Sequence, residues 1–324
     1  MEVACSMMEV SKSGFYKWKA KPEEKRNPER EKVIALVQKV HNEHRTHGYR
    51  WVAAYMRLNC GVTYSDSFVF KAWKYLGLKA ETKHGPHKHR AAKKKDPFPN
   101  LIFSTWDLVD RPRQVIVSDM TAFCVWWTYY ELTFYFDVFT KQILTWHLAG
   151  RRGDRLQYTE GLKDILDILG SEHITEPVIL HTDQGSVYSS FAYNELIHDS
   201  VILRSMSRVG TPGDNPVNES LNGWIKEELL IDCHLKDCSN REEVEQCIKN
   251  YVLYYNSRRP SWALGYDTPD NYYKRFIKGE IEHRKTFENR VLSEIPKGRK
   301  KGKKSTFKNE NKSNEPVEST FENT

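Results

Sequence analysis

The sequence predicts an α/β catalytic domain behind a small helical module, and three observations predict it. Apolar residues recur at helical spacing between Val33 and Leu76. A charged stretch with a glycine and three prolines, 83–100, then breaks the pattern. Beyond it, β-branched and aromatic runs of strand length alternate with helical stretches, as an α/β sheet requires.

The amino-terminal part divides in two. Residues 1–29 read as part of a helix-turn-helix, with Ser11 capping a helix over Lys12–Trp18. Residues 30–82 read as a helical DNA-binding module. Its first helix runs from Glu31 to His44 with Val33, Ile34, Val37 and Val40 on one face, and its second covers Trp51–Leu58 before Gly61. Ser65 caps a third helix that Gly77 stops, with Phe68, Val69, Ala72, Trp73 and Leu76 inward and Lys71 and Lys74 on the surface. A basic linker, 83–107, follows.

The core spans 108–278. Gln114–Met120, Glu131–Thr140 and Gln142–Ala149 read as three consecutive antiparallel strands. Asp154–Leu169 has helical period, Val178–His181 is a short buried strand, Ser190–His198 is helical, and Val201–Met206 is another strand. Asp214 or Asn215 caps a helix with Pro216 in its first turn, where proline is tolerated. The aromatics of WWTYY and of YVLYYN, where Tyr251, Tyr254 and Tyr255 fall at helical spacing, read as packing. Residues 279–324 are basic, then polar, and too poor in apolar side chains to offset the entropy of ordering.

The net charge of +7 is clustered rather than spread. Nine Lys/Arg lie between Lys71 and Lys95 against one acid, and a second basic cluster runs from Lys297 to Lys304. On a compact helical module this is the footprint of phosphate contacts, so Lys71, Lys74, Arg90, Lys93, Lys94 and Lys95 are expected to bind DNA. Cysteines 5, 60, 124, 233, 238 and 247 lack disulfide-like spacing, and no signal peptide or long apolar run appears. A reducing, cytoplasmic location is expected, without membrane contact. Zinc is not expected, because neither Cys233, His234, Cys238 and Cys247 nor His84, His87 and His89 show paired ligand spacing.

Three carboxylates stand out. Asp119 ends the apolar run VIVSD, and Asp183 ends VILHTD before Gln184–Gly185, both where sites collect in α/β sheets. Glu219 lies one turn into the helix that Pro216 begins. Any one of them alone is more often a cap or turn residue. Brought together, they would repel one another and so favour hard cations such as Mg²⁺. Two such ions about 4 Å apart are what phosphodiester transfer needs, to clamp the attacking and leaving oxygens.

The segments QVIVSDMT, LHTDQGSVY, DNPVNESLNGWIK, YYNSRRP and LGYDTP occur in one order, behind VSKSGFYKW and HGYRW. With them the chain, from about residue 3 to about 275, resembles transposases of the insertion-sequence-three family, second-reading-frame product, related to retroviral integrases. The resemblance implies a ribonuclease-H-like catalytic domain with a mixed five-stranded sheet and flanking helices. It implies Asp119, Asp183 and Glu219 as ligands of two Mg²⁺ ions, with Mn²⁺ as substitute. Lys226, seven residues beyond Glu219, and Arg259 join the expected DNA contacts. The implied partners are the element's terminal repeats, target DNA, further copies of the chain on DNA and an upstream-frame product.

The implied activity is metal-dependent DNA strand cleavage and strand transfer. The chain departs from the family at Ile116, where Trp is usual, at Ala122, where an aromatic is usual, and at Ser261, where His is usual. Two alternatives stand beside transposition: a nuclease of the same fold that only cuts, and a catalytically impaired DNA-binding relic. Joined products in a labelled-end assay would reject the first. Activity lost in Asp183→Asn with DNA binding retained would reject the second.

Overall fold

The computed structural model describes residues 5, 10–20, 28–81, 98–103, 105–185, 187–208 and 214–281, apart from the side chains of Trp18, Asn218 and Glu219. Arg90, Lys93, Lys94 and Lys95 lie outside the described residues, as do most of the expected linker and tail.

The helical part comprises α1 (Lys12–Lys19), α2 (Pro28–Glu43), α3 (Tyr49–Asn59) and α4 (Asp66–Tyr75). Serine hydroxyls open two of these helices. The Gly14 amide donates to Ser11 Oγ at 3.1 Å and the Phe68 amide to Ser65 Oγ at 3.3 Å, each satisfying a donor that the first helical turn leaves over. Gly77 closes α4 at φ +65°, a conformation a side chain would strain. Val33, Val37 and Val40 of α2 bury against Val52 and Met56 of α3 and Val69 and Trp73 of α4.

The central sheet contains β1 (Val115–Val125), β2 (Thr128–Asp137), β3 (Ile143–Ala149), β4 (Val178–Thr182) and β5 (Ile202–Met206), in the order β3-β2-β1-β4-β5. β2 runs antiparallel to both β1 and β3, while β4 and β5 run parallel to β1. This is the mixed five-stranded, ribonuclease-H-like sheet. Strand alternation sends β1 side chains into two separate cores. Val115 and Val117 face α7 (Pro216–Ile231) and α8 (Arg241–Ser257), through Leu221, Ile225, Val244 and Ile248. Ile116 faces α5 (Arg155–Ser171), through Leu162 and Ile165. At this crossing a Cβ on Gly161 would lie 2.5 Å from the Tyr135 ring, so only glycine lets α5 sit this close.

Two short helices complete the core, α6 (Phe191–Glu195) and α9 (Pro269–Ile277). The helix expected over Ser190–His198 is shorter than its pattern: Ser190 caps it, but the turns after Glu195 are no longer α-helical. The first strand is longer than expected. It continues past Met120 to Val125 and turns directly into β2.

That extension overturns part of the packing expectation. Tyr251 and Tyr255 are buried as expected, whereas Trp126 is 66% and Trp127 102% exposed. The paired tryptophans occupy the two-residue turn itself, where side chains point away from both cores.

The helical part docks on the far end of α7. The Thr46 amide and hydroxyl donate to the Asp232 carboxylate at 3.2 and 2.7 Å, and Trp51 Nε1 donates to the Pro260 carbonyl at 3.1 Å. No helix among the described residues is long and apolar enough to cross a membrane.

Candidate active site

Asp119 and Asp183 come together because of strand register. The parallel β1–β4 ladder pairs Ser118 with Thr182, so the two aspartates are the next residue on each of two adjacent strands. β4 ends there, and Asp183 opens into a turn in which the Gly185 amide donates to its Oδ1 at 2.9 Å. The serine before Asp119 is held as well: Ser118 Oγ and the Tyr188 hydroxyl share a 2.8 Å hydrogen bond inside the core.

Both acids also act on one environment. Burial holds the Tyr158 and Tyr188 hydroxyls above their ordinary pKa, and the negative charges of both acids each add to that shift. The Asp183 carboxyl is itself pushed above its ordinary value by the surrounding protein mass, opposed by the Gly185 hydrogen bond. It still opens to solvent at the strand end. A carboxylate held uncomfortably in its charged form, yet reachable from solvent, suits a divalent cation.

The third element is α7. Asn222 Nδ2 donates to Asp119 Oδ2 at 2.7 Å, while the Met120 amide takes Asp119 Oδ1 at 2.7 Å. These bonds fix the carboxylate and leave further lone pairs on each oxygen. Asn222 thereby identifies the face of α7 that looks onto the aspartates. Positions 219 and 226 share that face with it, three residues before and four after. The Glu219 side chain is outside the described residues. Among the described residues no three His, Cys, Asp or Glu groups converge on one ion position. The oxygen-only, carboxylate-rich donors that are present fit a hard divalent cation.

The expected DNA contacts separate into distinct environments. Lys71 and Lys74 are exposed on α4, three residues apart and therefore on one face. Lys226 is half-buried, one helical turn beyond Asn222 on α7. Arg259 is not a surface cation. It is 5% exposed, its Nε and Nη2 donate to the Glu228 carboxylate at 2.6 to 3.0 Å, and its guanidinium lies 5.1 Å from the Tyr255 ring centre. The desolvation of such a cation is offset by a bidentate carboxylate, which is why it sits in the core rather than at the surface. Ser261 is buried too, and its amide donates to the Asp267 carbonyl at 2.9 Å.

Sequence reasoning missed Asn222 and Tyr188. For Asn222 a signal existed: it lies three residues after Glu219, on the same helical stripe. For Tyr188 there was none, since only the fold brings it under Ser118.

Two integrase core domain models match the chain, over residues 109–212 and 201–269, and together they include Asp119, Asp183 and position 219. The transposase for insertion sequence element IS904 of Lactococcus lactis subsp. lactis is 31% identical over 254 residues, covering 77% of this chain and 96% of that protein. The putative transposase InsK for insertion sequence element IS150 of Escherichia coli is 28% identical, covering 82% and 90%. Among solved structures, the HTLV-2 integrase catalytic core domain in complex with magnesium is 19% identical at a TM-score of 0.38, covering 50% of this chain and 97% of that one. A relative this similar along nearly its whole length, together with the core-domain matches, shows that the chain belongs to the insertion-sequence transposases of the insertion-sequence-three type, related to integrases.

Proposed function

We propose that Asp119, Asp183 and Glu219 hold two Mg²⁺ ions, for which Mn²⁺ substitutes, and that this centre cuts the ends of an insertion sequence and joins them to target DNA. The observation that carries the reading is the register that sets Asp119 beside Asp183, beneath the α7 face bearing Asn222 and position 219. Bound cations supply charge neutralisation at the reacting phosphate and activation of the attacking oxygen. The chain's own residues do the positioning. Asn222 and the Met120 amide fix Asp119, and the Gly185 amide fixes Asp183. Lys226, which shares the Asn222 face of the helix, meets a phosphate of the bound strand.

Water serves as nucleophile for cleavage and the freed 3′-hydroxyl for joining, each in line with its leaving group, so no covalent enzyme intermediate is needed. The helical module holds the terminal repeats through Lys71 and Lys74, with Arg90, Lys93, Lys94 and Lys95 in the following basic stretch. Copies of the chain assemble on the paired ends, with an upstream-frame product as a further partner, in the bacterial cytoplasm at the nucleoid. The reading is tested with end-labelled terminal-repeat DNA, target DNA and Mg²⁺. Joined products are expected from the wild type and none from Asp183→Asn, with DNA binding retained. Cutting without joining would favour the nuclease instead.

A further inference from the structure

The β1–β2 hairpin is built against local backbone preference. Val125 pairs with Thr128, so Trp126 and Trp127 form the whole turn, and Trp126 has φ +44°. Two-residue turns with positive φ favour Asn, Asp or Gly, because a bulky side chain is strained there. Neither indole recovers that cost by packing, since they are 66% and 102% exposed.

The tip has basic neighbours. Glu131 of β2 accepts from the Tyr129 hydroxyl at 2.8 Å and from the Gly153 amide at 2.7 Å, which fastens the segment after β3 beside the hairpin. In that segment Arg151, Arg152 and Arg155 are exposed, and the Arg152 guanidinium lies 5.1 Å from the Tyr129 ring centre. The acid among them, Asp154, is engaged as the cap of α5, accepting from the Leu156 amide at 3.1 Å.

Position gives this patch a use. β4 stops beside Ser118 while β1 and β2 continue, so the hairpin overhangs the same end of the sheet that carries Asp119 and Asp183. Trp126 lies seven residue steps along the chain from Asp119, which at roughly 3.3 Å per step is about 23 Å. Exposed indoles stack on bases and guanidiniums neutralise phosphates, and together they select a nucleic acid over an apolar protein surface.

We propose that Trp126, Trp127, Arg151 and Arg152 form a second DNA-contact site, gripping the strand by base stacking well away from the reacting phosphate. This rests on the reading of the carboxylates as a DNA-transfer centre.

The test uses the full chain and two fluorescent DNAs with a single-stranded flank: one long enough to reach the tip, the other ending short of it. Trp126→Gly/Trp127→Ala relieves the turn's φ and leaves both cores intact. Its expected effect is a loss of affinity of about 5-fold or more for the long DNA, with none for the short one. Arg151→Ala/Arg152→Ala should act in the same direction and flatten the salt dependence. Equal affinity of variant and wild type for the long DNA would overturn the proposal. If the tryptophan variant also sediments as a smaller species, the tip is a contact between copies instead. A wild type that shows neither DNA binding nor Mg²⁺-dependent cleavage would overturn the transfer reading itself, an outcome distinct from either.

Discussion

Asn222 donates a 2.7 Å hydrogen bond to Asp119, tying the helix that carries position 219 to the first strand of the sheet. A side chain that orients a metal-binding carboxylate changes metal affinity or activity by about 10- to 100-fold when removed. Asn222→Ala is therefore expected to raise the Mg²⁺ concentration needed for strand cleavage, with a smaller effect on DNA binding. Asn222→Asp should be worse at low Mg²⁺, because it places a third negative charge beside Asp119. A metal titration of cleavage on wild type and both variants checks this. An unchanged half-saturation point in Asn222→Ala would count against the role.

Asp232, which receives both Thr46 hydrogen bonds, has its carboxyl pushed up to about 6, chiefly by burial and further by the neighbouring Glu228 charge. A carboxyl raised in the folded state contributes stability that is full below its unfolded value, near 3.8, and lost as pH rises through about 6. Asp232→Asn does not titrate. Its stability relative to wild type should therefore improve by about 1–2 kcal/mol between pH 4 and pH 7. Paired denaturant melts at the two pH values measure this, and parallel shifts at both would contradict it.

Arg259 and Glu228 form a buried pair, and removing one partner strands the other. Arg259→Ala is expected to cost about 3–5 kcal/mol of stability. Arg259→Met/Glu228→Leu should recover part of that loss by refilling the volume with apolar atoms. Neither change should alter the salt slope of DNA binding measured below the unfolding transition. A slope lower by about 0.9 per lost phosphate contact would place Arg259 on DNA after all.

The exposed lysines of α4 should behave oppositely. Lys71→Ala/Lys74→Ala is expected to leave the melting temperature within a degree or two of wild type. The slope of log affinity against log salt should fall by about 1.8 if both contact phosphate. Anisotropy titrations with terminal-repeat DNA from low to moderate salt check it, and an unchanged slope would remove this helix from the interface.

Much of the fold was legible because local chemistry and tertiary structure agree. Ser65 caps the helix it was expected to cap, Asp154 and Ser190 stand at the starts of the helical stretches they were expected to open, and the five strands lie where β-branched and aromatic runs mark them. Asp183 was readable as the residue that closes a strand, since an acid ending an apolar run has few other places to go. Asp119, expected at a strand end too, lies within β1, because pairing with β2 carries that strand on to Val125. Arg259 was not readable. An arginine in a polar motif looks like a surface cation until a helix brings Glu228 onto it. Trp126 and Trp127 misled for a related reason: an indole is usually buried, and nothing local reveals that strand pairing continues up to it and makes it the turn. Asn222 was half legible: its place on the Glu219 stripe is local, but its partner lies 103 residues earlier in the chain.

α7 meets Asp119 near one end and the amino-terminal helical part at the other. From position 219 to Asp232 it is a rod about 20 Å long at roughly 1.5 Å per residue. A tilt of only about 3° about the Asp232 end would move the other by about 1 Å, the scale of misplacement that costs an active site about 100-fold in rate. On the proposed function, two hydrogen bonds from Thr46 help to align the reacting end, and strain in DNA held by the first helices would have a stiff path to the place where the strand breaks.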